Sequence, residues 1–293
     1  MTVPPFGRVL TAMVTPFTPD GSVDFKRAAE LALRLVDDGN DGLVISGTTG
    51  EAPTTHRHEK TDLLKAVVDA VGARAHVVAG VGSNDTTHAV SMARDAAAAG
   101  ATGLLSVTPY YNKPPQAGVI AHTLAVAEAT ELPVLLYDIP GRTGLAMTEA
   151  TLIELSRHPQ IVGVKDAKLD FESTAHVLRE TDLAYYSGQD AVTLPFLSLG
   201  GVGVVGTSTH FVAQRTKQMI AAFLSGDHAT ARDLQEGMLP IYSGIFRTQG
   251  TILVKAGLAL LGFGVGGVRS PLVEATPAEV EQLKADMAEA GLL

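Results

Sequence analysis

The chain has 293 residues, 46% of them hydrophobic, and a formal net charge of −9. That length and apolar content suit one large domain, or one domain with an appendage, and exclude a disordered or fibrous chain. The acidic balance, with no run of Lys or Arg, argues against nucleic-acid binding, and the lack of cysteine excludes disulfides and thiolate chemistry.

The N-terminal stretch MTVPPFGRVL has no basic segment followed by an apolar one, so no signal peptide is read there. No apolar run approaches the roughly 18 residues of a membrane span. The expectation is a cytoplasmic protein that binds neither nucleic acid nor membrane.

Short β-branched runs recur along the chain. They predict strands at 9–15, 42–46, 76–81, 103–108, 133–138, 161–167, 183–188 and 201–207. Most lack polar alternation, as expected of strands covered on both faces. Helical patterns lie between them. Residues 24–39 place Ala28, Leu31, Leu35 and Val36 on one side and stop at Gly39; 87–100 stops at Gly100; 117–130 follows the fourth strand. Eight alternating units predict a (β/α)8 TIM barrel, with a doubly wound sheet as second choice.

Beyond residue 207 no further strand is legible. Residues 212–239 and 251–263 read as helices, and 276–293 opens with a capping box, Thr276 to Glu279, with Pro277 at the first helical position. The predicted organisation is a barrel over 1–224 and a C-terminal helical region over 225–293.

In such barrels chemistry sits at the C-terminal ends of the strands. SGTTGE (46–51), TPYYNKP (108–114), YDIPGRTG (137–144), Lys165, SGQD (187–190) and GTSTH (206–210) are therefore expected on one rim. Two readings of Lys165 compete. It can be a packed stem whose amine reaches a carboxylate such as Asp166. Or it can be a Schiff-base nucleophile, kept partly neutral by a water-poor barrel interior. Strand alternation puts Asp166 on the opposite face, which weakens the first reading.

The other motifs are also two-sided. GTTG is either a plain βα turn or a cradle of N–H groups and hydroxyls for a small carboxylate. The paired tyrosines 110 and 111 either pack or act. Arg142 either braces its loop or receives a substrate carboxylate. The GxGxxG match at Gly201, Gly203 and Gly206 lies within a strand, so no dinucleotide site is read there. His56 and His58 are spaced i,i+2, wrong for two ligands on one helix face, and no metal site is expected.

GTTGE, TPYYNKP, YDIPGRTG and GVKDAK, in that order and spacing, resemble the dihydrodipicolinate synthase family of pyruvate-dependent aldolases, to which N-acetylneuraminate lyase is related. The resemblance runs from VLTAMVTPF to SPL at 270–272. It implies a class I aldolase, a lyase of lysine and diaminopimelate biosynthesis. Such an enzyme condenses pyruvate with aspartate semialdehyde and needs no cofactor beyond the imine on its lysine. Carried over by position, Lys165 is the imine lysine and Tyr137 the proton relay. Thr48 links Tyr137 to Tyr111, which a neighbouring subunit inserts across a tight interface in a homotetramer built as a dimer of dimers.

The same resemblance assigns Thr48 and Thr49 to pyruvate's carboxylate, Arg142 to that of the semialdehyde, and the backbones of Gly188 and Val205 to the pocket wall. Coupling matters for Tyr137, because an isolated phenol of pKa about 10 is a poor base. Lysine-inhibited relatives use a glutamate and a histidine where this chain has His88 and Arg57, so lysine feedback is expected to be weak or absent. Lys113 is a further candidate for the positive mouth, and Lys168 a candidate rim residue. The alternatives are a sibling lyase acting on a sugar acid and a non-catalytic binder on the same scaffold.

Overall fold

The computed structural model describes residues 3–293. Eight parallel strands close into a barrel in sequence order: β1 (Val9–Ala12), β2 (Gly42–Ile45), β3 (His76–Gly80), β4 (Gly103–Val107), β5 (Val134–Asp138), β6 (Ile161–Asp166), β7 (Ala184–Ser187) and β8 (Gly203–Gly206). Each lies inside the segment its sequence predicts, one to three residues shorter. The first strand ends early because the chain leaves the ladder for a side-chain partner. After β1, the Val14 N–H donates to His210 Nε2 at 3.2 Å rather than to a neighbouring strand.

Twelve helices surround and extend the barrel among the described residues. They are α1 (Phe25–Asp37), α2 (Arg57–Val71), α3 (Thr86–Ala98), α4 (Gln116–Ala127), α5 (Pro140–Thr143), α6 (Glu149–Leu155), α7 (Phe171–Glu180), α8 (Thr193–Leu199), α9 (Thr209–Leu224), α10 (His228–Gly244), α11 (Gly250–Leu260) and α12 (Pro277–Glu289).

Helix starts follow capping chemistry. Asp24, Asp85, Asp170 and Asp227 each accept from a backbone N–H of the first turn, satisfying donors that helix geometry orphans. The capping box at Thr276 and Glu279 forms as its sequence predicts. On α1 the buried face is Ala28, Leu31, Ala32 and Leu35, with Val36 only half-buried at its edge. Each fully buried leucine there contributes about 1.5–3 kcal/mol over an exposed one. Two helices depart from the reading: α9 starts at Thr209, directly out of the eighth strand's exit, and α10 runs past Pro240 to Gly244.

Apolar side chains form two layers. One fills the space between strands and helices. The other fills the barrel itself with Leu10, Val44, Val78, Leu105, Leu135, Tyr186 and Val205, floored by Phe6. Tyr186 donates to the Gly7 carbonyl at 2.9 Å and accepts from the Phe6 N–H at 3.3 Å, which ties that floor to β7. The GxGxxG glycines prove to be packing residues. A Cβ on Gly203 would lie 2.0 Å from the Arg8 carbonyl, and one on Gly206 would lie 2.5 Å from Asp190 Oδ1.

His210 closes the barrel rim between the first and last strands. It is buried; Nδ1–H donates to the Thr207 carbonyl at 2.8 Å while Nε2 accepts from Val14. Burial pushes its pKa from 6.5 down to about 4. The unfolded chain therefore takes up a proton that the folded one refuses. This contribution is present above pH 6.5 and is lost as pH falls toward 4, by about 3 kcal/mol. Urea denaturation of wild type and His210→Gln at pH 7 and pH 4.5 should show a smaller loss of stability in the variant. Equal losses would contradict the assignment.

Candidate active site

Pairing between β5 and β6 sets the centre of the site. Tyr137 is in register with Lys165, and Asp138 with Asp166. Partners in a parallel pair share a face, so Tyr137 and Lys165 point into the barrel mouth while the two aspartates point outward beneath the helices. Lys165 is only 5% exposed, and its Nζ lies 4.3 Å from the Tyr137 ring centre. It has no carboxylate partner among the described residues. Asp166 is engaged elsewhere, accepting from the Lys168 and Leu169 N–H groups and from Thr174 Oγ1. The bland reading of Lys165, an amine salt-bridged to Asp166, is thereby removed.

A cavity of about 420 Å³ surrounds the amine. Its wall includes Thr48, Thr49, Tyr137, Arg142, Lys165, Gly188 and Thr207. A wider compartment of about 750 Å³ opens beside it and shares Thr48, Tyr137, Ile139 and Arg142. Arg142 is exposed at the junction, held by the short turn of α5, and forms no ion pair among the described residues. Its free guanidinium can take a carboxylate in bidentate fashion.

The GTTG turn is built by the C-terminal helices as well as by β2. Thr251 Oγ1 on α11 donates to the Thr49 carbonyl at 3.0 Å, and the Thr49 and Thr207 hydroxyls are 3.4 Å apart. Glu51 follows with φ of 56°, a left-handed conformation that a non-glycine residue adopts only under constraint. That constraint is a buried ion pair. Lys255 on α11 reaches Glu51 Oε1 at 2.7 Å, and the Arg269 N–H donates to Oε2 at 2.9 Å.

Some predicted residues stand apart. Tyr111 is 89% exposed at a φ of 71°, its N–H donating to the Thr143 carbonyl at 3.3 Å. It lines the wider compartment together with Thr48, but within one chain Thr48 makes no side-chain hydrogen bond to either tyrosine. Val205 is buried in the barrel interior, below the cavity wall. Lys113 lies across the Gly144 turn and lines the wider compartment. Lys168 is in the loop after β6, its ammonium 3.0 Å from Ser173 Oγ, outside the barrel rather than on the cavity wall.

Other contributors were not singled out from sequence. Asp190, buried, accepts from the Thr207 N–H at 3.1 Å, the Ser208 N–H at 3.0 Å and the Ser208 hydroxyl, and so shapes the eighth-strand exit. Tyr242 on α10, Phe246 in the loop that follows it and Thr251 on α11 close the cavity. Their signal is tertiary: the SGQD motif marks Asp190's position, but its partners lie 17 and 18 residues on. His56 and His58 stack at 6.1 Å at the start of α2, and no group of three His, Asp or Glu among the described residues is placed to hold a metal.

The wider compartment also contains Lys60 and His88, with no Asp or Glu in its wall. Burial lowers the pKa of Lys60. Arg57, at the helix surface, is paired bidentately with Asp95.

Known proteins share this arrangement over the whole length. A family model described as the dihydrodipicolinate synthetase family matches residues 5–290. A curated 4-hydroxy-tetrahydrodipicolinate synthase from Acidothermus cellulolyticus is 61% identical over 287 residues, covering 98% of this chain and 93% of the relative. One from Cutibacterium acnes is 56% identical over 282 residues and covers 96% of each. Among solved structures, a DHDPS from Cyanidioschyzon merolae with lysine bound superposes with a TM-score of 0.97 at 42% identity, covering 99% of both chains. A dihydrodipicolinate synthase from Thermotoga maritima superposes at 0.94 with 33% identity, covering 98% of this chain and 99% of that one. With sequence motifs, barrel and whole-length similarity in agreement, this chain belongs to the dihydrodipicolinate synthetase family.

Proposed function

We infer that this chain acts as a 4-hydroxy-tetrahydrodipicolinate synthase, a lyase of the class I aldolase type in lysine and diaminopimelate biosynthesis. It condenses pyruvate, held as an imine on Lys165, with L-aspartate 4-semialdehyde. The observation that carries the reading is Lys165 itself: a buried amine without a counter-ion, beside Tyr137, in a cavity that also presents Thr48, Thr49 and Arg142.

The Lys165 amine attacks the pyruvate ketone, and loss of water leaves the imine. The imine draws electrons from the adjacent methyl group, which loses a proton to give an enamine. The enamine carbon attacks the semialdehyde. Thr48 and Thr49 hold pyruvate's carboxylate, and Arg142 at the mouth receives that of the second substrate. Tyr137 moves protons to and from the reacting oxygens through Thr48 and a second phenol.

Tyr111, projecting from its own chain, is that second phenol when presented to a neighbouring subunit. The active unit is then at least a dimer, and the assembly a homotetramer of two such dimers in the cytoplasm. No helix among the described residues is long and apolar enough to cross a membrane. No cofactor is required beyond the imine. The backbone of Gly188 completes the pocket.

Mass spectrometry after incubation with pyruvate and borohydride tests the imine, and a panel of aldehydes and sugar acids tests the second substrate. A reduced adduct on Lys165 and turnover with the semialdehyde are expected. No adduct favours a non-catalytic binder, and turnover only with a sugar acid favours a sibling lyase. Free lysine at millimolar concentration should leave the rate essentially unchanged. A cationic ligand entering the wider compartment meets Lys60 and His88 and finds no carboxylate. Strong inhibition in a steady-state assay would contradict this.

A further inference from the structure

Asp138 and Asp166 directly follow Tyr137 and Lys165, and they are in register across β5 and β6. They point to the same outer face from strands about 4.8 Å apart. They are 1% and 2% exposed. Two carboxylates on adjacent strand ends in a dry packet repel when both are ionised, which favours keeping one proton between them near neutral pH.

Their hydrogen bonds are unequal. Asp166 accepts three, from the Lys168 N–H, the Leu169 N–H and Thr174 Oγ1. Asp138 accepts one, from the Met147 N–H at 3.2 Å to Oδ2, and its buried Oδ1 has no partner among the described residues. The donors mark Asp166 as the ionised member. The bare oxygen marks Asp138 as the member that keeps a proton, and Asp166 Oδ2, with one donor, retains a lone pair to accept it.

The charged and titratable surroundings fit a single negative charge. Lys168, from the loop after β6, is the one cation among the described residues acting on both carboxyls. Tyr185 on β7 adds a buried phenol with no hydrogen-bond partner, held in its neutral form by burial and by both aspartates. Glu149 on α6 also acts on Tyr185 and is itself paired with His176 on α7 at 3.3 Å.

We propose that Asp138 and Asp166 hold one proton between them and serve as a latch on the ends of β5 and β6, fixing Lys165 against Tyr137. Both are positioning residues; neither touches the cavity. The proposal rests on Lys165 being the imine-forming residue. Losing the proton places two like charges on adjacent strand ends and drives apart the two side chains that must act together.

Burial moves Asp138 up to about 7, so the latch opens on the alkaline side of neutrality. The folded state holds a proton that the unfolded chain releases near 3.8. The stabilisation it brings is present below that value and is lost as pH rises through about 7.

The test compares wild type, Asp138→Asn and Asp138→Leu. Borohydride-trapped imine formation on Lys165, kcat and KM, and Tm are each measured from pH 6 to pH 9. Asparagine supplies a neutral donor without the ionisation. The ratio of its imine-forming rate to that of wild type should stay near one at pH 6 and rise several-fold by pH 8. Its Tm advantage should widen over the same range. Asp138→Leu should lose kcat at every pH with little change in KM for pyruvate. A rate ratio and Tm difference that stay flat with pH would overturn the latch, as would a loss in Asp138→Asn equal to that in Asp138→Leu. If wild type forms no adduct at any pH, the functional reading fails instead, and the Tm comparison still decides whether the pair shares a proton.

Discussion

A Lys165→Met variant should give no borohydride-trapped pyruvate adduct and lose at least about a thousandfold in kcat, because the step it removes is covalent and nothing nearby replaces it. Lys168, three residues on, is the only lysine close in sequence, and its ammonium is turned outward onto Ser173. Methionine matches the length and volume of the lysine stem without its charge. Folding stability should therefore hold or improve, since the native ammonium is buried without a counter-ion. Lys165→Arg should be equally inactive: a guanidinium keeps its proton and cannot attack a ketone. The measurements are intact-protein mass after reduction, steady-state rates, and Tm. A trapped adduct in Lys165→Met, or one mapped to Lys168, would sink the assignment.

The second large effect concerns Glu51 and Lys255, 2% and 4% exposed and 2.7 Å apart. Around them, Lys255 also donates to the Gly267 carbonyl at 2.6 Å and stands over the Phe17 ring at 4.2 Å. Desolvation lowers the Lys255 pKa, and Glu51 works against it. Removing one member strands a buried charge. Lys255→Met or Glu51→Leu should each cost about 3–5 kcal/mol, whereas the double replacement should cost much less. Because Glu51 ends the GTTGE turn in a left-handed conformation, the single variants should also raise KM for pyruvate more than they lower kcat. Urea denaturation with a double-mutant cycle reads the coupling, and steady-state kinetics read the turn. Additive losses, with KM unchanged, would show that the pair neither couples nor holds the turn.

What was legible in the sequence is what periodicity and punctuation encode. Parallel strands covered on both faces leave apolar runs, so all eight strands could be placed. Glycines at 39 and 100 adopt the left-handed conformation that ends α1 and α3, with φ of 102° and 88°. Once the strands were placed, the rule that barrel chemistry lies at their C-terminal ends brought Lys165, Tyr137, Thr48, Thr49, Arg142 and Gly188 to one rim. The short helices α5, α6 and α8, of four to seven residues, carry too few turns to show a periodic face.

The rest is tertiary and leaves no local trace. Glu51 and Lys255 are 204 residues apart, and His210 reaches Val14 across 196. Arg269 grips Glu59 through two nitrogens across 210 residues and holds its pKa down at about 2. Asp138 looked like part of a loop motif. Only the register that sets it beside Asp166 gives it a role.

The distance in sequence between Glu51 and its partners has a consequence for how the protein is made. Ribosomes add roughly 5–20 residues per second. The 204 residues separating Glu51 from Lys255 therefore take about 10–40 s to emerge. Through that interval the nascent barrel can assemble its strands in order, yet Thr251, which bonds the Thr49 carbonyl, and Lys255 are still to come. The GTTGE turn is among the first segments synthesised and among the last to acquire its shape. A chain stalled or cut before Gly250 would carry Lys165 and Tyr137 on a nearly complete barrel, yet would lack the ties that α11 supplies to the GTTGE turn.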